Sequence, residues 1–235
     1  MEESAQVDRK PRTGARLPGR LLPRAFFEAP PGYVAPRLLG KVLAHRTGHG
    51  VLAGRIVEAE AYLGPHNDPP DPAAHSYRGP TPRNSVIFGP AGRAYVYAIY
   101  GRYFCMNVTC EIEGRAGCVL LRALEPVAGV EQMALNRGLA PGGLYTGRLA
   151  RQIASGPSRL CQALSLTRPA HNALDLADSA SALQIRDDSY PVSEVLVTAR
   201  IGIHEAVDWP LRFALPGSPC ISGPKSLSGK RVLVR

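Results

Sequence analysis

The chain has 235 residues, 45% of them apolar, enough for one sizeable core, and no apolar run reaches the roughly 18 residues of a membrane-spanning helix. Arginine and lysine number 28 against 19 aspartates and glutamates, and the resulting net charge of +9 makes nucleic acid the first partner to consider, with solubility alone as the plainer reading. Five cysteines, an odd number with no CxxC pair and no zinc-type histidine spacing, read as reduced thiols rather than as a disulfide framework or a metal site.

Residues 1–20 are polar, basic and proline-containing, and read as a disordered arm able to touch a polyanion. The stretch "RAFFEAPPGYVAPRLLGKVLAH" offers short helical segments broken by prolines, then an apolar run that begins a sheet. "GVLAGRIVEAEAYLG" alternates as a strand does, with Glu58, Glu60 and Tyr62 on one face and Val57, Ala59 and Ala61 on the other. "PHNDPPDPAAHSYRGPTPRNS" is too rich in proline and polar residues for regular structure and makes a long loop of the sort that carries function.

"RAYVYAIY" and "RYFCMNVTC" flank Gly101 and read as a hairpin with its tip at Tyr100, Gly101 and Arg102, and "CVLLRALEP" follows as a buried strand. "VEQMALNRG" and "SRLCQALSL" have helical spacing, the second entered through Ser155, Gly156 and Pro157. "ALQIRD", "VLVTARIGI" and "LRFAL" return to strands, and "KSLSGKRVLVR" reads as a basic, mobile tail. With no internal repeat and no dividing linker, the pattern is one α+β domain over residues 21–222, between the arm at 1–20 and the tail at 223–235.

If the strand with Glu58, Glu60 and Tyr62, the loop with His75 and the strand with Tyr95 and Tyr97 converge, they place a carboxylate beside flat aromatic walls. That suits hydrolysis of a bond to a planar leaving group. Glycosidic cleavage fits it well, because an oxocarbenium-like transition state gains from a nearby negative charge and an activated water. The bland alternatives are a solvated face for Glu58 and Glu60 and a backbone-satisfied loop residue for His75. A zinc deaminase would need HxE with PCxxC, and neither is present. Lys41 is the only lysine between Lys10 and Lys225, which disfavours covalent lysine chemistry, and no GxGxxG or Walker loop indicates a nucleotide cofactor.

In "RIVEAEAYLGP" (55–65), "AAHS" (73–76), "TPRN" (81–84), "YVYAIYGRYFCMN" (95–107), "CVLLRALEP" (118–126), "SGPSRLCQAL" (155–164), "ARIGI" (199–203), "LRF" and "GSP", the sequence resembles the alkyladenine (3-methyladenine) DNA glycosylase family. The resemblance implies a curved, mostly antiparallel sheet with a protruding β-hairpin and flanking helices. It also implies a monofunctional, cofactor-free and metal-free enzyme. Such an enzyme flips damaged purines out of double-stranded DNA as a monomer and cleaves the N-glycosidic bond; it works in the cytoplasm of a bacterium or the nucleus of a eukaryote. Under it Glu60 activates water, with Arg122 and the Ile201 carbonyl holding that water. Tyr62, His75 (through its main-chain amide) and Tyr97 line the pocket, and Asn107 crowds the purine 2-position. Tyr100 is the wedge that fills the gap in the duplex, and Thr81, Arg83, Tyr103, Arg159 and Arg168 lie along the DNA backbone.

Two features depart from the family pattern. The loop between Pro65 and Ala73 is longer and richer in proline, and Arg102 stands beside the wedge where some relatives have an apolar residue. An arginine there would reach phosphate or the minor groove, with tighter binding and a steeper salt dependence. The rival reading from another class is a non-catalytic nucleic-acid-binding module of the same fold, for which Glu60 would be a liability.

Overall fold

One long strand organises the architecture. In the computed structural model, which describes residues 16–140, 142–147, 149–223 and 229–233, β3 (Gly50–Tyr62) pairs first with β2 (Val42–Thr47) and, along most of its length, with β6 (Gly117–Ala128). Beyond Arg55 the β2 side of β3 passes to β9 (Arg212–Ala214), which pairs with Glu58, Ala59 and Glu60. Register shifts on either side of Glu58 accompany this change of partner. Bulges of that kind bend a strand and re-aim its side chains.

From this centre an open antiparallel sheet spreads. On one side lie β7 (Leu183–Asp187) and β1 (Arg20–Leu21) beyond β2, and on the other β5 (Tyr103–Cys110) and β4 (Ala94–Ile99) beyond β6. From β9 a branch continues through β8 (Glu194–Thr198) to β10 (Lys230–Leu233). The α+β reading and the single mostly antiparallel sheet hold. No helix among the described residues is long and apolar enough to cross a membrane.

The alternation read in β3 also holds. Val57, Ala59 and Ala61 face the main core with Val34 and Leu38 of α1 (Pro31–Leu38) and Leu160 of α4 (Pro157–Ala163). The opposite face carries Glu58, Glu60 and Tyr62, and near it a smaller cluster of Ile87, Tyr95, Ala116 and Cys118 packs with Tyr62 and Tyr97. α2 (Val130–Asn136) and α4 fall where helical spacing puts them, with Pro157 in the first turn of α4. α3 (Ala150–Ala154) and α5 (Arg168–His171) add two short turns.

Two boundaries differ from the sequence reading. Leu17 is buried against Val42, Ala44 and Ala53, and Arg20 pairs with Asp187, so the expected arm at 1–20 is part of the fold from Leu17 on; residues 1–15 lie outside the described residues. A lone leucine in a basic stretch gives no periodicity to signal this. The expected mobile tail contains β10, whose Lys230–Leu233 pair with Val197 back to Glu194; 224–228 and 234–235 lie outside the described residues. The only signal was the apolar pair Val232 and Leu233, masked by the charge around it.

Candidate active site

Where β3 changes partner, two carboxylates are buried side by side, and they play different parts. Glu58 accepts hydrogen bonds from Arg122 Nε at 3.0 Å, Arg212 Nε at 2.7 Å, and the Ser222 amide and hydroxyl at 2.6 and 2.9 Å. Three of these bonds fall on Oε1 and one on Oε2, and two come from arginines, so Glu58 is an anchor for arginines. Arg122, from β6, is thereby held with its Nη1 3.2 Å from Glu60 Oε2 and its Nη2 3.2 Å from Ser222 Oγ. The main chain at Arg122 is pinned as well, its carbonyl accepting from the Gly156 amide at the entry to α4.

Glu60 Oε2 also accepts from the Tyr62 hydroxyl at 3.0 Å, while Oε1 accepts from the Ile201 amide at 2.8 Å. A carboxylate oxygen has about two acceptor positions. Oε2 is saturated and Oε1 keeps one position beyond the described contacts. Burial pushes the Glu60 carboxyl above the ordinary glutamate range, against the opposing pull of Arg122, the Ile201 amide and Tyr62, so it is a stronger base than a surface carboxylate. The described contact at Ile201 therefore runs through its N–H to the carboxylate, whereas the resemblance pointed to its carbonyl.

In front of this group lies a cavity of about 140 Å³, walled by Tyr62, His75, Tyr97, Asn107, Cys118 and the Gly202–Ile203 backbone turn. That is well under the roughly 300–1,000 Å³ of drug-sized sites and suits one small flat ring system. Glu60 does not itself line the cavity. It sits behind Tyr62, whose hydroxyl joins the wall to the carboxylate. A larger hollow of about 280 Å³ on the other side of His75, with Arg78, Thr81 and Arg83, contains no carboxylate and is the weaker candidate for chemistry.

The walls are fixed by contacts that sequence reasoning did not find. His75 packs edge-on against Tyr97, centroids 4.6 Å apart, and its Nδ1 lies 3.0 Å from the Tyr95 hydroxyl. Burial, with the charge of Arg83, holds the imidazole below its usual range, so the ring is neutral at neutral pH. Burial pushes the Tyr95 phenol up to about 12, and it stays protonated. Tyr95, read from the sequence only as a residue of the Tyr97 strand, is the hydrogen-bonding support of His75. Parity gave its face but not its partner. The His75 carbonyl accepts from Asn84 Nδ2 at 2.7 Å, and the Thr81 hydroxyl donates to Asn84 Oδ1 at 2.9 Å, so this threonine is occupied in holding its own turn.

The hairpin tip is where sequence placed it. Ile99 pairs with Tyr103, and between them Tyr100 and Gly101 have φ of 48° and 71°. Positive φ at two successive residues is the sign pattern of a type I′ turn, natural for glycine and strained by roughly 1–3 kcal/mol for a bulky side chain. Tyr100 is nonetheless 89% exposed. Arginines surround the hairpin: Arg102 stacks on Tyr103 at 4.9 Å, Arg83 donates to the Ala98 carbonyl at 3.3 Å, and Arg159 lies close enough to Arg137 to depress its pKa after burial. Arg83, Arg102, Arg159 and Arg168 are all exposed, and the half-buried Arg137 beside Arg159 is a further basic residue the sequence did not single out.

The proline-rich loop is tied down rather than loose. Asp71, buried, accepts from the Leu63 and Ala73 amides at 2.9 and 3.1 Å and from both Nη atoms of Arg200 at 2.6 and 2.9 Å. At its start Gly64 passes so close to β6 that a Cβ would stand 1.4 Å from the Ala116 carbonyl oxygen, which admits no other residue. All five cysteines are free and buried, and among the described residues no trio of His, Cys, Asp or Glu is placed to hold a metal ion.

The structure thus sets an arginine-tethered carboxylate behind a small aromatic cavity, with a strained aromatic displayed among exposed arginines. Residues 25–219 match the family described as methylpurine-DNA glycosylase. The chain is 53% identical over 206 residues to a protein of Koribacter versatilis, covering 88% of this chain and 95% of that one, which bears the name "Putative 3-methyladenine DNA glycosylase". Proteins of the same name from Burkholderia lata (44% over 210 residues, 89% and 94% covered) and Methanoculleus marisnigri (46% over 205 residues, 86% and 98% covered) are also similar. The chain belongs to the methylpurine-DNA glycosylase family, whose name assigns it to the repair of alkylation damage in DNA.

Proposed function

We propose that the protein turns an alkylated or deaminated purine out of duplex DNA into the cavity and hydrolyses its N-glycosidic bond as a cofactor-free, monofunctional glycosylase. The observation that carries this is the single acceptor position left on Glu60 Oε1 beside Ile201. A water there donates one proton to Glu60 and presents its oxygen to the anomeric carbon. The base departs with the bonding electrons as the C–O bond forms. Arg122 keeps Glu60 ionised and oriented, and the negative charge favours the oxocarbenium-like transition state.

Tyr62, Tyr97 and His75 supply ring contacts to the base, and Asn107 closes the end of the cavity. An electron-rich ring face attracts a cationic alkylated purine over its neutral parent by roughly 0.5–2 kcal/mol. Tyr100 enters the duplex where the nucleotide has left, while Arg83, Arg102, Tyr103, Arg159 and Arg168, with the Thr81 turn, follow the phosphates. The protein acts as a monomer.

The test is a set of duplexes, each with one lesion (3-methyladenine, 7-methylguanine, hypoxanthine or ethenoadenine), scored for alkali-labile abasic sites. Release from at least one is expected. Release from none would leave a DNA-binding module. Separately, Arg102→Met is expected to flatten the dependence of log binding constant on log salt by about 0.9, one phosphate contact's worth. An unchanged slope would remove Arg102 from the DNA contact.

A further inference from the structure

The strongest feature that this mechanism leaves unused is the ion pair behind Tyr62. Asp71 and Arg200 have fully buried side chains and meet in a two-pronged contact of 2.6 and 2.9 Å. Arg200 Nη1 also donates to the Ala61 carbonyl at 3.1 Å, and its guanidinium carbon lies 4.7 Å from the centre of the Tyr62 ring. Its Nε is buried with no hydrogen-bond partner among the described residues, and the Tyr62 ring is an electron-rich neighbour. Tyr62 lines the cavity and Arg200 does not, so the guanidinium backs the ring from the protein side.

A pair so deeply buried adds little net stability over apolar side chains, because desolvating two charges offsets their attraction. Its position matters more. A guanidinium over an aromatic ring draws on the same electron density that a cationic base would use from the cavity side. Left uncompensated it would also repel that base through a medium with little water. Asp71 lies on the guanidinium and cancels its charge.

We propose that Asp71 and Arg200 form a specificity element, in which Asp71 neutralises the guanidinium behind Tyr62 so that the ring can accept cationic purines as well as neutral ones. This rests on the glycosylase reading. It gives the proline-rich loop a role, since that loop delivers Asp71. It also separates two properties that a single aromatic wall would confound, the grip on any flat base and the preference for a charged one. Asp71 and Arg200 are positioning residues, acting through Tyr62.

The experiment compares excision of a cationic lesion, 7-methylguanine, with that of a neutral one, hypoxanthine, in matched duplexes under single-turnover conditions. Asp71→Asn leaves the arginine uncompensated. It is expected to lower the cationic-to-neutral rate ratio by roughly tenfold, the scale of a unit charge under 10 Å away at an effective dielectric near 20. The double variant Asp71→Asn with Arg200→Gln should bring the ratio back to within about twofold of the unaltered protein, even if both rates fall. Should Asp71→Asn not fold, Arg200→Gln alone reads the same effect with the opposite sign, a raised ratio. A ratio that does not move in either single variant, or that falls equally in the double variant, overturns the proposal. An unaltered protein that releases neither base would overturn the glycosylase reading, and this proposal with it.

Discussion

Glu60→Gln is expected to abolish base release, by about 10²–10⁴-fold or more, while lesion DNA stays bound within about tenfold. The substitution keeps the shape of the side chain and removes its negative charge and its ability to take a proton. Three donors converge on the carboxylate: the Tyr62 hydroxyl, Arg122 and the Ile201 amide. A glutamine oxygen can serve the Tyr62 and Arg122 side, but its NH₂ then faces the Ile201 amide, donor against donor. The Ile201 turn should therefore loosen slightly, which accounts for the modest loss in binding. Single-turnover excision and a binding titration on the same duplex separate the two effects. Substantial release by this variant would take the general-base role from Glu60.

The same group sets the acid limb of the rate. Because burial raises the proton affinity of Glu60, its ionised form is lost on acidification earlier than that of an ordinary glutamate. Activity should accordingly fall at a pH above the usual carboxylate range, and Glu60→Gln should leave no such limb in any residual rate.

Tyr100→Ala should lower excision by about 10–100-fold from a stably paired duplex and by less than about threefold from a single strand. Turning a nucleotide out of a duplex costs a few kcal/mol of stacking and pairing, and an inserted ring offsets part of that. A single strand has no such gap to fill. Tyr100 is 89% exposed and holds a positive φ of 48°, so the fold has no need of its side chain and Tm should not fall. Equal losses on the two substrates would count against a wedge.

Strand parity and turn chemistry made part of this site legible. The face shared by Glu58, Glu60 and Tyr62 and the tip at Tyr100 follow from alternation and from Gly101 alone. The division of labour between the two glutamates does not, because it depends on Arg212 and Ser222, more than 150 residues away, arriving at Glu58. Asp71 and Arg200 were invisible for the same reason. Each looks like a solvated charge until the loop and the end of β8 are brought together. The bond between Tyr95 and His75 lay hidden because periodicity names a face and not the atom that meets it. The strand at Lys230 was obscured by charge, since a basic edge strand and a basic tail have the same composition.

The contacts on Glu58 have a bearing on how the chain matures. Its partners come from positions 122, 212 and 222, so during synthesis the carboxylate waits, hydrated, until almost the whole chain has emerged. The full set of bonds on Glu58 can therefore form only once the segment carrying Arg212 and Ser222 has docked. A chain truncated before Ser222 would have to bury Glu58 without its amide and hydroxyl donors. Fragments that end before Ser222 should accordingly lose base release before they lose DNA binding.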